Sequence, residues 1–297
     1  MRIGIVLPIG ERGDPPRPTP YREMRRLALL AEDGGLDSVW AADHLFYHPP
    51  EGPRRGMWEC WTVLSAIAEA TQRVEIGPLV LCTPFRNPGL LAWMANTIDE
   101  VSGGRFVLGL GSGWHEPEFS AFSFEFERRV SLFADSLAVL APLLREGRVD
   151  HDGRFASGHA ELHPRGPREK GPPILISAVR PRMMALAAQW ADRFNTVWYG
   201  RPNDAYRTDV TNLEQACETR QRDPGEIEVS AGVAVIDEQT AAQRSDRDFL
   251  TGSADEIADG LAAWREEGVA EVMCRLEPSS PEMVERVIRV AENIRAG

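Results

Sequence analysis

Val74-Glu75-Ile76-Gly77-Pro78-Leu79-Val80-Leu81-Cys82 and, one amphipathic stretch later, Arg105-Phe106-Val107-Leu108-Gly109-Leu110 are the two runs whose reading decides the fold. Each is apolar over a strand's length, as expected of strands buried on both faces. Each also ends in unusual sequence, the first in Thr83-Pro84-Phe85-Arg86-Asn87-Pro88 and the second in Gly111-Ser112-Gly113-Trp114. Glycines at a strand end remove the Cβ atoms that would hold a large planar ligand off the backbone, so the second run is expected to floor a pocket.

Outward from this pair the same alternation continues. Strand-like runs fall at Ile3 to Leu7, Ser38 to Ala42, Glu75 to Cys82, Phe106 to Leu110, Pro173 to Ala178, Phe194 to Tyr199, Ile227 to Ile236 and Glu271 to Leu276. Amphipathic segments fill the gaps, several opened by cap and proline signals such as Asn87-Pro88, Ser280-Pro281 and Ser253-Ala254-Asp255-Glu256. Eight βα units predict an α/β fold, a (β/α)8 TIM barrel forming one domain over 1–297. A doubly wound open sheet is disfavoured, because Pro8-Ile9-Gly10-Glu11 follows the first strand where a GxGxxG turn belongs. Before the fifth strand, Val149 to Phe155 and His159 to Pro164 read as a short hairpin insertion turned by Asp152-Gly153. That places His151, His159 and His163 away from the active face, and no metal site is expected.

Composition narrows the function. The balance of 33 basic against 45 acidic side chains, a formal charge of −12, disfavours nucleic acid and anionic membranes as partners and suits an enzyme acting on a small molecule. Cys60, Cys82, Cys217 and Cys274 form no CxxC pair, the opening run Met1 to Pro8 is too short for a signal peptide, and a cytoplasmic protein is expected.

In a barrel, chemistry belongs at the C-terminal strand ends, where the second strand runs into Trp40-Ala41-Ala42-Asp43-His44. His44 is a natural general acid or base, or else a rim residue bonding a loop carbonyl. Asp43 could hold His44 or bond the edge of a heterocycle. No GxSxG, HExxH or clustered carboxylate pair is present.

These residues together resemble the bacterial luciferase superfamily of flavin and deazaflavin oxidoreductases, and most its coenzyme F420 branch. The resemblance rests on Asp33 to Trp40 leading to Asp43-His44-Leu45, on Arg86-Asn87-Pro88, and most specifically on Ser102-Gly103-Gly104-Arg105-Phe106 joined to Gly111-Ser112-Gly113-Trp114. It implies a planar cofactor ring across the barrel mouth, against a non-proline cis peptide near Leu79, Val80 and Leu81. Gly111, Ser112, Gly113 and Trp114 would pack beside the ring, with Asp43 and His44 facing its reactive carbon. Some relatives have a glutamate where this chain has Trp114, so the resemblance leaves His44 without an acidic counterpart here unless Glu116 or Glu118 reaches in. After the fifth strand a glycine pair commonly holds the cofactor phosphate. This chain instead reads Ser177-Ala178-Val179-Arg180-Pro181-Arg182, so Arg180 and Arg182 would act by charge. Arg17, Arg54, Arg55, Arg86 and Arg201 could steer an anionic tail, or form a mixed-charge rim with Glu11, Asp14, Glu51 and Asp204.

The resemblance implies hydride transfer between coenzyme F420 and a small organic substrate. The alternatives are an FMN-dependent monooxygenase and a non-catalytic cofactor-binding protein. It also implies a homodimer through the second and third helices, where Cys60, Trp61, Leu64, Leu90, Leu91, Trp93 and Met94 supply apolar groups.

Overall fold

The computed structural model describes residues 1–13, 15–48, 53–246 and 248–296; Asp14 and Glu51, expected on the rim, lie outside them. The barrel strands are β1 (Arg2–Val6), β2 (Ser38–Ala41), β3 (Glu75–Pro78, resuming as Leu81–Cys82), β4 (Leu108–Gly111), β5 (Ile174–Ser177), β6 (Arg193–Tyr199), β7 (Glu228–Ile236) and β8 (Glu271–Glu277). The main flanking helices are α1 (Tyr21–Asp33), α2 (Cys60–Ala70), α3 (Pro88–Val101), α5 (Arg129–Glu146), α6 (Pro181–Trp190), α7 (Asp204–Thr219), α9 (Ala254–Glu266) and α10 (Pro281–Ala296), with short α4 (Glu116–Ala121) and α8 (Glu238–Ala241) between them. Asn87 caps α3, and Ser253 with Glu256 forms a capping box on α9, as their sequence signals imply.

All barrel pairings are parallel, in the order β3, β2, β1, β8, β7, β6, β5, β4 and back to β3, so the predicted TIM barrel is present. The ring closes through a broken strand. Glu75–Pro78 pairs with β2, whereas Leu81–Cys82 pairs with β4, and the Leu79-Val80 peptide between them is cis. The unbroken strand read from Glu75 to Cys82 is corrected accordingly, and the bulge lies where the resemblance implies it.

The glycines at the end of β4 and just beyond it also allow a close approach within the protein. A Cβ on Gly109 would fall 2.0 Å from Pro78 O, one on Gly111 2.8 Å from Val80 Cγ2, and one on Gly113 2.5 Å from Cys82 Sγ. They make room for the broken third strand, and Gly113 also borders the mouth cavity.

The interior has three layers. Trp40, Leu79, Val107, Leu175 and Met273 form an apolar plug at mid-height, distinct from the large core between strands and helices. Below it, at the N-terminal end, Arg193 makes two hydrogen bonds to Glu75, at 2.7 and 2.8 Å, and reaches Glu228 at 3.2 Å. Glu271 is fully buried there and accepts from Ser38 Oγ and, at 3.1 Å, from Trp40 Nε1; burial pushes its carboxyl above the ordinary value despite these bonds and the nearby Arg2 and Arg193. Above the plug lies the mouth.

The Ser-Gly-Gly-Arg-Phe element belongs to the N-terminal side. Gly103 and Gly104 adopt φ of +64° and +83°, and the Arg105 guanidinium donates to Ala68 O, Thr71 O and Val74 O at 2.7 to 2.9 Å, closing the end of α2. The expected hairpin is present as Arg148–Asp152 paired with Ser157–Glu161, and no metal-binding group of His, Cys, Asp and Glu occurs among the described residues. No helix among them is long and apolar enough to cross a membrane.

Candidate active site

A cavity of about 210 Å³ opens at the barrel mouth. One wall is the cis bulge, Leu79, Val80, Leu81 and Cys82; the opposite wall is Ser177, Asn195, Val197 and Trp198; Asp43, His44, Gly113, Trp114, Glu118 and Phe119 complete it. A second non-proline cis peptide, Val197-Trp198, shapes the wall on β6 and had no sequence expectation.

Helix α4 makes the central arrangement. Pro117 opens it, and Phe119, 1% exposed, packs against Phe85 and Phe126 at ring-centroid distances of 5.0 and 5.1 Å. That anchor turns Glu118 inward, where its Oε2 lies 2.8 Å from His44 Nδ1 and its Oε1 accepts from the backbone N–H groups of Leu45 and Phe46. Burial alone would raise the Glu118 carboxyl, but the bond and charge of His44 and the two N–H donors outweigh it and hold the group below the ordinary carboxylate value. An ionised carboxylate only accepts, so His44 Nδ1 carries the proton and Nε2 is left for a ligand. Of the two glutamates considered as partners for His44, Glu118 is the one that reaches it; Glu116 stays exposed. Trp114, 62% exposed, stands edge-on to the His44 ring at 5.6 Å.

Asp43 does not hold His44. Its carboxylate takes two hydrogen bonds from Arg86, at 2.6 and 2.9 Å, and one from the Cys82 N–H at 2.9 Å. Arg86 in turn bonds Glu59, which caps α2. Burial disfavours the Arg86 charge, but the bonds it donates to Asp43 and Glu59 and the charge of Asp43 more than compensate, so Arg86 is a fixed cation joining β2, the bulge and α2. It is therefore no steering group, and Asp43 anchors the bulge. Arg55 donates to Gly13 O, and Arg54 lies 3.4 Å over the Phe46 ring. Burial pushes the Cys82 thiol well above its ordinary value, so it is no nucleophile.

Of the other residues singled out from sequence, Gly111, Ser112, Ala178, Val179 and Arg180 lie outside the cavity lining. Arg180 is the exposed N-cap residue of α6, Val179 is 60% exposed, and Arg182 donates to Ser131 Oγ at 3.0 Å. His115 is buried; burial keeps its pKa low, and its Nε2 accepts the His48 N–H at 3.2 Å, a structural placement. Sequence reasoning missed Arg86 as Asp43's partner, Phe119 as the α4 anchor and Asn195 in the wall. The signal for Asn195 was a polar residue at the inward-facing register of an apolar strand, two after Arg193.

A closed parallel barrel with a cavity over its C-terminal strand ends, floored by a broken third strand and bordered by a histidine–carboxylate pair, defines a β/α-barrel enzyme scaffold. The luciferase-like monooxygenase family model matches residues 1–250, and the chain belongs to that family. Among curated relatives it is 28% identical to pyrimidine monooxygenase RutA of Methylorubrum extorquens over 99% of this chain and 80% of the relative. It is 32% identical to F420-dependent glucose-6-phosphate dehydrogenase of Amycolatopsis mediterranei over 58% of this chain and 52% of the relative. Among solved structures, an F420-dependent secondary alcohol dehydrogenase in complex with an F420-acetone adduct superposes with a TM-score of 0.83 at 18% identity, covering 99% of this chain and 98% of that one. Family membership supports an oxidoreductase; its relatives divide between F420-dependent enzymes and a monooxygenase.

Proposed function

We propose that this protein is an F420-dependent oxidoreductase passing a hydride between the deazaflavin and a small organic carbonyl or alcohol. The observation that carries this is the 2.8 Å His44–Glu118 pair bordering the mouth cavity. Hydride addition to a carbonyl carbon leaves its oxygen in need of a proton, and His44 Nε2 delivers it; in the reverse direction the same nitrogen removes it. Glu118 fixes the imidazole tautomer and stabilises the imidazolium. A bound deazaflavin supplies or takes up the hydride.

The cavity fits a planar ring, with the Leu79-Val80 bulge on one side and Val197 and Trp198 on the other. Trp114 and Tyr47 offer apolar surface to a substrate at the rim. For an anionic tail, the exposed start of α6 at Arg180 is the available element, with backbone N–H groups and guanidinium in place of the glycine turn.

The second reading, an FMN-dependent monooxygenase, is favoured by the RutA match, which spans nearly the whole chain. Titrating the purified protein with coenzyme F420 and with FMN, by fluorescence quenching, separates the two. We expect tighter F420 binding, and a tenfold preference for FMN overturns it. For assembly we propose a homodimer through α2 and α3. Cys60, Trp61, Leu64 and Leu91 are buried against the barrel, while Leu90 is 60% exposed beside half-buried Trp93 and Met94. Light scattering showing only a 33.0 kDa species at micromolar concentration removes the dimer.

A further inference from the structure

Asn195 lies on the inward face of β6, fully buried, bordering the mouth cavity between Ser177 and Val197. Its Nδ2 donates to Ser230 Oγ at 3.1 Å, and Ser230 Oγ donates to Phe194 O at 2.9 Å. Because a hydroxyl has one proton, Ser230 has none left for Asn195, and the amide must present its NH2 there. The orientation is thereby fixed, with Oδ1 turned from Ser230. Of the buried side-chain atoms without a hydrogen-bond partner among the described residues, Oδ1 is the one belonging to a cavity-lining residue. A buried acceptor in this position is costly to leave unpaired, and neither the Ser177 hydroxyl nor the Trp198 indole N–H, both in the same cavity wall, donates to it.

We propose that Asn195 Oδ1 accepts the imide N–H of the bound ring, making Asn195 a cofactor-binding residue. The imide N–H is the donor that the oxidised flavin and deazaflavin tricycles share, so the assignment deepens the reading of the site as a cofactor pocket without depending on which of the two is bound. A single acceptor set in apolar walls also orients the ring, since turning that edge elsewhere leaves both the acceptor and the N–H unpaired.

Asn195→Leu keeps the size and removes the acceptor. In the cofactor-free variant the thermal midpoint is expected to hold or rise, because the unpaired oxygen is gone while Ser230 keeps its bond to Phe194. Affinity for F420 and for FMN, read by fluorescence titration, is expected to fall about tenfold or more. FMN methylated at the imide nitrogen closes the cycle: it should bind wild type about tenfold or more weakly than FMN, yet bind the variant about as well as FMN does. Asn195→Ala repeats the cycle if leucine is not accommodated. Unchanged affinity, an equal methylation penalty in both proteins, or a cofactor-free midpoint several degrees lower overturns the assignment. A preference for FMN overturns the deazaflavin reading but leaves this test standing on FMN; failure of wild type to bind either cofactor overturns both.

Discussion

At the floor of the barrel Arg193 grips Glu75 through two hydrogen bonds and reaches Glu228, with Arg2 and the buried Glu271 alongside. At the mouth His44 holds Glu118, while Asp43 and Arg86 are locked together a few residues away. Both ends bury charge, separated by the apolar plug around Trp40 and Met273. The floor groups are turned on one another beneath that plug. At the mouth, the Asp43–Arg86 pair behaves like a piece of floor, holding the bulge, and only the His44–Glu118 pair leaves a titratable atom for a ligand. Burial of charge thus separates structure from chemistry poorly; what separates them is whether a polar atom beside a cavity remains unengaged.

The largest effect should come from breaking the floor. Arg193→Met removes both hydrogen bonds to Glu75 and leaves Glu75 and Glu271 with Arg2 alone, and is expected to lower unfolding stability by about 3 kcal/mol, with cofactor affinity unchanged. Chemical denaturation measures it; a loss below about 1 kcal/mol would show that the floor pairs contribute no more than surface ion pairs do. Next, His44→Asn should reduce turnover about 100-fold or more, equivalent to about 2.7 kcal/mol of barrier, with cofactor affinity little changed. Normal turnover would make the mouth pair as purely structural as the floor. Glu118→Gln retains acceptance from Leu45 and Phe46 but no longer charges the imidazole's partner, and turnover is expected to fall about tenfold in steady-state assays.

The smallest effect is a pH dependence. The folded-state carboxyl of Glu118 is depressed, so its contribution to stability is present above the ordinary carboxylate pKa, about 4.3, and is lost as pH falls through the depressed value. Thermal midpoints of wild type and Glu118→Gln should therefore converge as the solution is acidified below about pH 4. A gap that persists or widens on acidification would place the stabilisation elsewhere.

The motif that most strongly suggested the family is split between the two ends: Gly113 and Trp114 line the cavity, whereas Ser102 to Phe106 sits at the floor side. In Ser102 to Phe106 the two glycines turn the chain and Arg105 closes α2, so the element carries architecture. Gly111 and Gly113, which looked like room for a ligand, are also room for Val80 and Cys82, as Gly109 is for Pro78. In both cases spacing announced close packing correctly but could not say what approached. Asp43 and His44, adjacent in sequence, face different partners, because those partners come from α4 and from the loop after β3.

By itself the sequence determined the eight βα units, their caps, the hairpin and the end of the barrel where chemistry belongs, because these follow from local periodicity and strand polarity. It also pointed to His44, whereas the bulge near Leu79 and Val80 was implied only by the family resemblance. Only the tertiary structure decided that Glu118 and not Asp43 partners the imidazole, that Arg86 is committed to Asp43, and that Asn195 keeps an unpaired oxygen at the cavity. Each of these depends on residues 35 to 74 positions apart meeting across the barrel, or on the absence of such a meeting, and no local pattern encodes which acceptor is left over.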